Sequence, residues 1–222
     1  IRVNAKKDAD ASPYLSCDNE YFQIILKAKE KGISVWDEYC TGEHSSNVKP
    51  DLLKHIEVNY NQYKKNNHLI DFADMIKNFL LKPELCPQFT TVFIDEAQDL
   101  SPIQWDVYDL LKKNSNNIYL AGDDDQAIYG WAGADVDRFI KEPAKEKVLS
   151  KSRRIPIAVQ EISEVITARI QGLRADKNYL PRNEQGLCSK INSLENVDLY
   201  NNKWLVLTRT LSRAKEICDL LK

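Results

Sequence analysis

The sequence predicts an α/β fold organised on a parallel sheet. Two short apolar runs and the helix between them carry this expectation. The first run, Val92-Phe93-Ile94, stops abruptly at Asp95-Glu96-Ala97-Gln98-Asp99. The second, Asn117-Ile118-Tyr119-Leu120-Ala121, runs into Gly122-Asp123-Asp124-Asp125-Gln126. Short apolar runs bounded by polar residues read as buried parallel strands. Between them, Ser101 is placed to cap a helix, Pro102 to begin it and Gln104 to complete a capping box. Ile103, Val107, Leu110 and Leu111 give that helix its apolar stripe. Strand, helix, strand in this order implies a parallel pair whose two tips share one edge.

The other elements follow along the chain. Residues 1–68 are polar, rich in Lys, Asn and Tyr, and read as helical. Tyr21, Phe22, Ile25 and Leu26 give one stripe; Leu52, Ile56, Tyr60 and Tyr63 give another. Residues 69–145 hold the strand–helix–strand core. It is preceded by a helix that Asp71 caps, that runs through Leu81 and that Pro83 ends. Residues 146–222 begin with a short strand, Lys147-Val148-Leu149. A helix follows Pro156, with Val159, Ile162, Val165, Ile166 and Ile170 as its stripe and Gly172 at its end. A polar stretch leads to a strand at 204–208 and a final amphipathic helix. These three ranges are the expected domains.

Composition narrows the class. The chain has 222 residues and a formal net charge of -2, so it has room for one or two domains and is not strongly basic or acidic overall. A near-neutral total still permits a locally basic groove. The five cysteines are Cys17, Cys40, Cys86, Cys188 and Cys218. They are widely spaced without a CxxC pair, which supports neither a zinc site nor a disulfide framework. No apolar stretch approaches membrane-spanning length and the start does not resemble a signal peptide, so a cytoplasmic location is expected.

The chemistry gathers at the strand tips. In open α/β sheets, ligands bind beyond the carboxyl ends of the strands, where Asp95, Glu96 and Gln126 are expected to converge. Two adjacent acids there suit Mg²⁺-nucleotide chemistry: one holds the metal and the other orients and deprotonates a water. Without further context the pair could equally be strand-end charges.

That context comes from a longer match. Asp95-Glu96-Ala97-Gln98-Asp99 and Gly122-Asp123-Asp124-Asp125-Gln126-Ala127-Ile128-Tyr129-Gly130-Trp131-Ala132-Gly133-Ala134-Asp135 resemble motifs II and III of UvrD/Rep/PcrA-type superfamily one DNA helicases. Leu149-Ser150-Lys151-Ser152-Arg153-Arg154 is similar to their motif IV, with Arg153 in place of the usual aromatic. Asp71-Phe72-Ala73-Asp74-Met75 resembles the segment upstream of motif II, and Trp204-Leu205-Val206-Leu207-Thr208-Arg209-Thr210 a strand of the second motor domain.

The resemblance implies a partial P-loop NTPase, or RecA-like, sheet with a helical insertion at 1–68. Residues 69–145 would then end the first motor domain, and 146–222 would begin the second. It implies ATP and Mg²⁺ as cofactors and single-stranded and duplex DNA as partners, in repair or replication. Asp95 would bind Mg²⁺, Glu96 would be the general base, and Gln126 would contact the γ-phosphate. Arg154 would reach that phosphate across the cleft between motor domains. Trp131, and with it Tyr129, would stack on DNA bases rather than fill a core. Arg209 stays open between a DNA contact and a structural role. Asp124 and Asp125 read as a solvated turn.

The G-x-x-x-x-G-K-S/T phosphate loop of the family does not occur among the seven glycines, nor do motifs V and VI. The chain is therefore expected to be an internal piece of a longer helicase and to lack ATPase activity alone. Two rivals stand beside this reading: the motor of a helicase–nuclease, and a non-catalytic helicase-like DNA-binding domain.

Overall fold

A computed structural model describes residues 19–172, 174–193, 197–198, 204–208 and 211–220. The chain forms two compact units. The first comprises the described residues up to Ser150 together with Ile166–Asn178; the second comprises Lys151–Val165 and the described residues from Tyr179 onward.

The first unit opens with α1 (Glu20–Lys31), α2 (Val35–Thr41) and α3 (Pro50–Asn66). Asn19 caps α1 through its side chain, and Gly32 ends it in the left-handed region. Ile24, Ile25, Ala28, Val35, Val48 and Leu53 form the core of this helical part, with Tyr21, Tyr39, Ile56 and Tyr60 packed around it. The stripe on α3 is therefore Leu53, Ile56, Tyr60 and Lys64. Leu52 and Tyr63, expected inside, are exposed. The correction amounts to a one-residue rotation of the buried face.

Helix α4 (Phe72–Leu80) starts at a capping box formed by Asp71 and Asp74, as its sequence predicts. These two carboxylates also receive Lys29 and Lys64. Lys29 Nζ lies 2.7 Å from Asp71 and 3.1 Å from Asp74; Lys64 Nζ lies 2.7 Å from Asp71 and also bonds Asp74. The Tyr60 ring sits beneath Lys64, 4.8 Å from its ammonium, and its hydroxyl donates to Asp71 at 3.2 Å. Burial alone would raise the Asp71 carboxyl, but hydrogen bonds from Lys29 and Lys64 hold it well below the usual carboxylate range. Burial and the Asp71 charge push the Tyr60 hydroxyl up to about 12.

A carboxyl depressed in the folded state contributes stability that is present above its unfolded pKa and lost as pH falls. Thermal unfolding of the full-length protein should therefore show a midpoint that drops as pH is lowered below ~4. Asp71→Asn should lower the midpoint at neutral pH and flatten this acid dependence. An unchanged pH profile in that variant would remove Asp71 as its source.

The sheet consists of β1 (Phe89–Ile94) and β2 (Ser115–Leu120), paired in parallel with Val92 opposite Ile118 and Ile94 opposite Leu120. Both strands start earlier than the apolar runs suggest, because the ladder already pairs Phe89 with Ser115 and Thr91 with Asn117. No position of either strand is buried, in contrast to the buried strands that the apolar runs suggest; the covered positions are only partly so. Phe93 is 77 % exposed, and its ring stacks on Tyr119 at 5.1 Å.

Helix α5 (Pro102–Lys113) links the strands. Gln104 Oε1 accepts from the Ser101 amide at 2.8 Å, the reciprocal arm of the expected capping box. Its buried side chains are Ile103, Trp105 and Tyr108, while Val107, Leu110 and Leu111 are only partly buried. The stripe read from sequence faces one neighbour, but α5 packs against α1, α4 and β2 together. Helix α6 (Val136–Lys141) then caps itself through Asp135, whose carboxylate accepts from the Arg138 amide at 3.0 Å.

Helix α7 (Ile157–Thr167) begins in the second unit, just after Pro156. Gly172 lies five positions beyond its end and is not its cap, although its φ of 117° does require glycine. The expected strands at 147–149 and 204–208 are not strands. Among the described residues the second unit holds one isolated parallel bridge, Lys151 with Leu180. Helix α8 (Leu211–Leu220) fits the final predicted helix. Among the described residues, no helix is long and apolar enough to cross a membrane.

Candidate functional site

The parallel pair brings the two chemical segments together. Beyond the last paired residues, the Ala121 amide donates to Ile94 O at 2.8 Å and the Ala97 amide to Ala121 O at 2.9 Å. Asp95 and Glu96 thus sit beside the chain that leaves β2, and both are exposed at the tip. Glu96 adopts the left-handed conformation, φ 52° and ψ 42°. A non-glycine residue there stores about 1–3 kcal/mol of strain and needs surrounding bonds to hold it.

Gln98 supplies one of those bonds. Its side chain is 1 % exposed. Nε2 donates to Glu96 Oε2 at 2.8 Å, and Oε1 accepts from the Asp123 amide at 3.0 Å. One buried carboxamide therefore joins the acid pair to the turn after β2. Gly122 permits this approach: a Cβ there would lie 2.6 Å from Gln98 Oε1 and 2.9 Å from the Phe139 ring. Asp99, next along, has a buried Oδ1 without a hydrogen-bond partner. Burial, then the Glu96 charge, raises its carboxyl.

Gln126 ends a short 3-10 turn, Asp124–Gln126, and is exposed. Its Nε2 donates to Asp123 Oδ2 at 2.7 Å. The solvated turn expected of Asp124 and Asp125 is not what forms. Their side chains are 5 % and 7 % exposed and ion-paired to Lys177 and Arg174. Burial opposes ionisation of Asp123, but the hydrogen bonds from Lys177, Gln126 and the Asp125 amide, with the Lys177 charge, together outweigh it and hold that carboxyl low. The Arg174 bond, against burial, does the same for Asp125.

The chain then turns through Gly130–Ala132, with Gly133 at φ 103°. Tyr129 is 38 % exposed and Trp131 49 % exposed, their ring centroids 6.5 Å apart. Neither is a core aromatic. The Asp135 amide donates to Leu100 O at 2.9 Å, tying the far end of this turn to the segment after Asp99.

Arg154 belongs to the second unit. It is exposed on a turn in which Ser152 Oγ accepts from the Arg154 and Ile155 amides at 3.2 and 3.0 Å. Arg209 lies outside the described residues. Asp95, Glu96, Gln126, Tyr129 and Trp131 are thus all on the first unit, along one connected stretch of backbone. Sequence reasoning passed over Gln98, Arg174 and Lys177. Gln98 stood in plain view as an amide between two acids. The two bases lie about fifty positions from the acids they bind, so local pattern could not pair them.

The donor set at the tip suits a nucleotide-bound divalent ion. Asp95 and Glu96 have no cation partner among the described residues, and Asp95 accepts only the Glu96 amide, at 3.0 Å. Mg²⁺ takes one or two carboxylates and completes its shell with water and phosphate oxygens. Among the described residues no three His, Cys, Asp or Glu side chains gather as an all-protein metal cage, and this kind of site requires none.

The described chain thus joins a parallel strand–helix–strand, two adjacent acids after β1 and an exposed aromatic turn beyond β2. Residues 2–147 match the family described as the UvrD/REP helicase N-terminal domain, and the chain belongs to that family. It is 32 % identical over 103 residues to ATP-dependent DNA helicase Rep of Buchnera aphidicola, covering 43 % of this chain and 15 % of that protein. It is 36 % identical over 92 residues to DNA helicase II of Escherichia coli, covering 36 % of this chain and 13 % of that protein. With DNA helicase II of Rickettsia typhi it shares 29 % identity over 150 residues, 63 % of this chain and 22 % of that protein. The matched region thus spans less than a quarter of each of these relatives.

Proposed function

We propose that the full-length protein is an ATP-dependent DNA helicase that couples ATP hydrolysis to movement along single-stranded DNA and to duplex unwinding. The carrying observation is the continuous bonded path from Glu96 through Gln98 to the Asp123–Gln126 turn, five positions before the exposed Trp131. Membership of the helicase family and the relatives' names support the reading.

In this reading residues 1–68 are a helical insertion, 69–145 the later part of a RecA-like motor domain, and 146–222 the start of a second. Asp95 holds Mg²⁺, which when bound neutralises charge on the β- and γ-phosphate oxygens. Glu96 orients the attacking water and takes its proton. Gln126 can donate to one oxygen and accept from another, so its amide can touch a γ-phosphate oxygen and the water together. Arg154 carries an exposed guanidinium suited to stabilise the transferring charge. Tyr129 and Trp131 offer faces to unpaired bases. A change at the phosphate side reaches the base side through one short bonded turn, which gives hydrolysis a physical route to stepping.

Trp131→Ala in the full-length protein tests the DNA half of the reading. Single-strand affinity, read by anisotropy of a labelled oligonucleotide, should weaken by ~1–3 kcal/mol. The thermal midpoint and DNA-independent ATPase should stay near wild type, because the side chain is half exposed and the residues assigned to the phosphate side are unchanged. Unwinding should fall further than ATPase. Unchanged oligonucleotide affinity would remove Trp131 from the DNA site.

A further inference from the structure

Three consecutive carboxylates follow β2, and mutual repulsion should splay them into water. Instead Asp124 and Asp125 are nearly buried, and Lys177, itself 5 % exposed, lies among all three. Lys177 Nζ is 2.5 Å from Asp123 Oδ1, bonds Asp124 Oδ1 and is 3.3 Å from Asp125 Oδ2. Arg174 clasps Asp125 with both arms, Nε at 2.5 Å and Nη2 at 2.8 Å. The Ala175 amide donates to Asp124 Oδ2 at 2.9 Å. Segment 174–177 therefore closes over the turn like a lid with two cations.

The division of labour on Asp123 decides what this clasp does. One carboxylate oxygen faces Lys177; the other accepts from Gln126 Nε2 at 2.7 Å. The backbone amide of the same Asp123 is held by Gln98. We propose that Lys177 is a positioning residue for Gln126: by fixing the Asp123 carboxylate it fixes the amide that Asp123 orients. This rests on the reading of Gln126 as the amide that contacts the γ-phosphate.

Removing the ammonium leaves three adjacent carboxylates to the single guanidinium of Arg174. Asp123 then gains more from turning to water than from holding one neutral amide, because charged groups solvate strongly. Gln126 loses its fixed acceptor and samples other rotamers. Nucleotide binding draws on other contacts, so the loss should fall on kcat more than on KM for ATP. Outer partners of this kind typically change activity by about 10–100-fold.

The test is a double-mutant cycle on single-strand-stimulated ATPase of the full-length protein, using Lys177→Met, Gln126→Ala and the pair. Lys177→Met should lower kcat by about 10–100-fold with KM for ATP little changed, and Lys177→Arg should recover most of it. The double variant should match Gln126→Ala to within about twofold, because both changes disable one amide. Should Lys177→Met fail to fold by thermal unfolding, Lys177→Gln takes its place in the same cycle. A wild-type kcat in the Lys177 variant, or losses that multiply in the double variant, overturns the positioning role while leaving Gln126 intact as the phosphate contact. A Gln126→Ala variant with normal kcat overturns the reading of Gln126 itself, and the role of Lys177 with it.

Discussion

Glu96→Gln in the full-length protein is expected to reduce kcat for ATP hydrolysis by ~10²–10⁴-fold while nucleotide binding persists. The amide keeps the shape of the side chain but cannot take a proton from water. The backbone should tolerate the change, because the left-handed conformation at Glu96 is fixed by neighbouring bonds: Gln98 to the side chain, and the Asp99 amide to Glu96 O at 3.0 Å. Asp95 is untouched, so the carboxylate assigned to the metal remains. Single-turnover hydrolysis alongside equilibrium binding of a fluorescent nucleotide separates the two effects. A fall in kcat of less than about tenfold would return Glu96 to a structural role.

Trp105→Ala is expected to cost ~3–5 kcal/mol of folding stability. Trp105 is completely buried on α5, edge-on to Tyr108 at 5.2 Å, with the Arg138 guanidinium 5.0 Å from its ring. Among the described residues its indole nitrogen has no hydrogen-bond partner. Trp105→Phe should therefore lose volume and ring overlap but no hydrogen bond, and should cost clearly less than the alanine. Urea unfolding of the two variants provides the comparison. An alanine cost below about 1 kcal/mol would mean that the ring is not a packing centre.

The acids at the end of β1, the parallel pairing and the Ser101 start of α5 all depend on neighbours within a few positions, so sequence exposes them. The Asp71 cap is local in the same way. The identity of the buried face on α5 is not local. A helix with three neighbours buries more than one stripe, and Trp105 and Tyr108 fall outside the single stripe that periodicity selects. The same limit explains Asp124 and Asp125. Their charges look solvated until residues 174–177 return to meet them. The runs at 147–149 and 204–208 are apolar enough for strands, but among the described residues neither takes part in a ladder. The site followed this division. Asp95, Glu96, Gln126 and the aromatic turn were legible as motifs, whereas the bonds Gln98 makes to Glu96 and Asp123, and the ion pairs of Lys177, emerged only from the fold.

The parallel pairing of β1 and β2 also constrains how the protein can assemble. An antiparallel pair can zip up from a tight turn, but these strands have none between them. Pairing them requires closing the whole crossover that contains α5, so that closure entropy must be offset by the ladder together with the packing of α5. The acids and the Asp123–Gln126 turn come together only when this long-range contact is made. Partial unfolding that loosens α5 should separate the acids from the Asp123–Gln126 turn in a single step. Loss of nucleotide chemistry on heating would then coincide with loss of amide protection in β1, and not trail behind it.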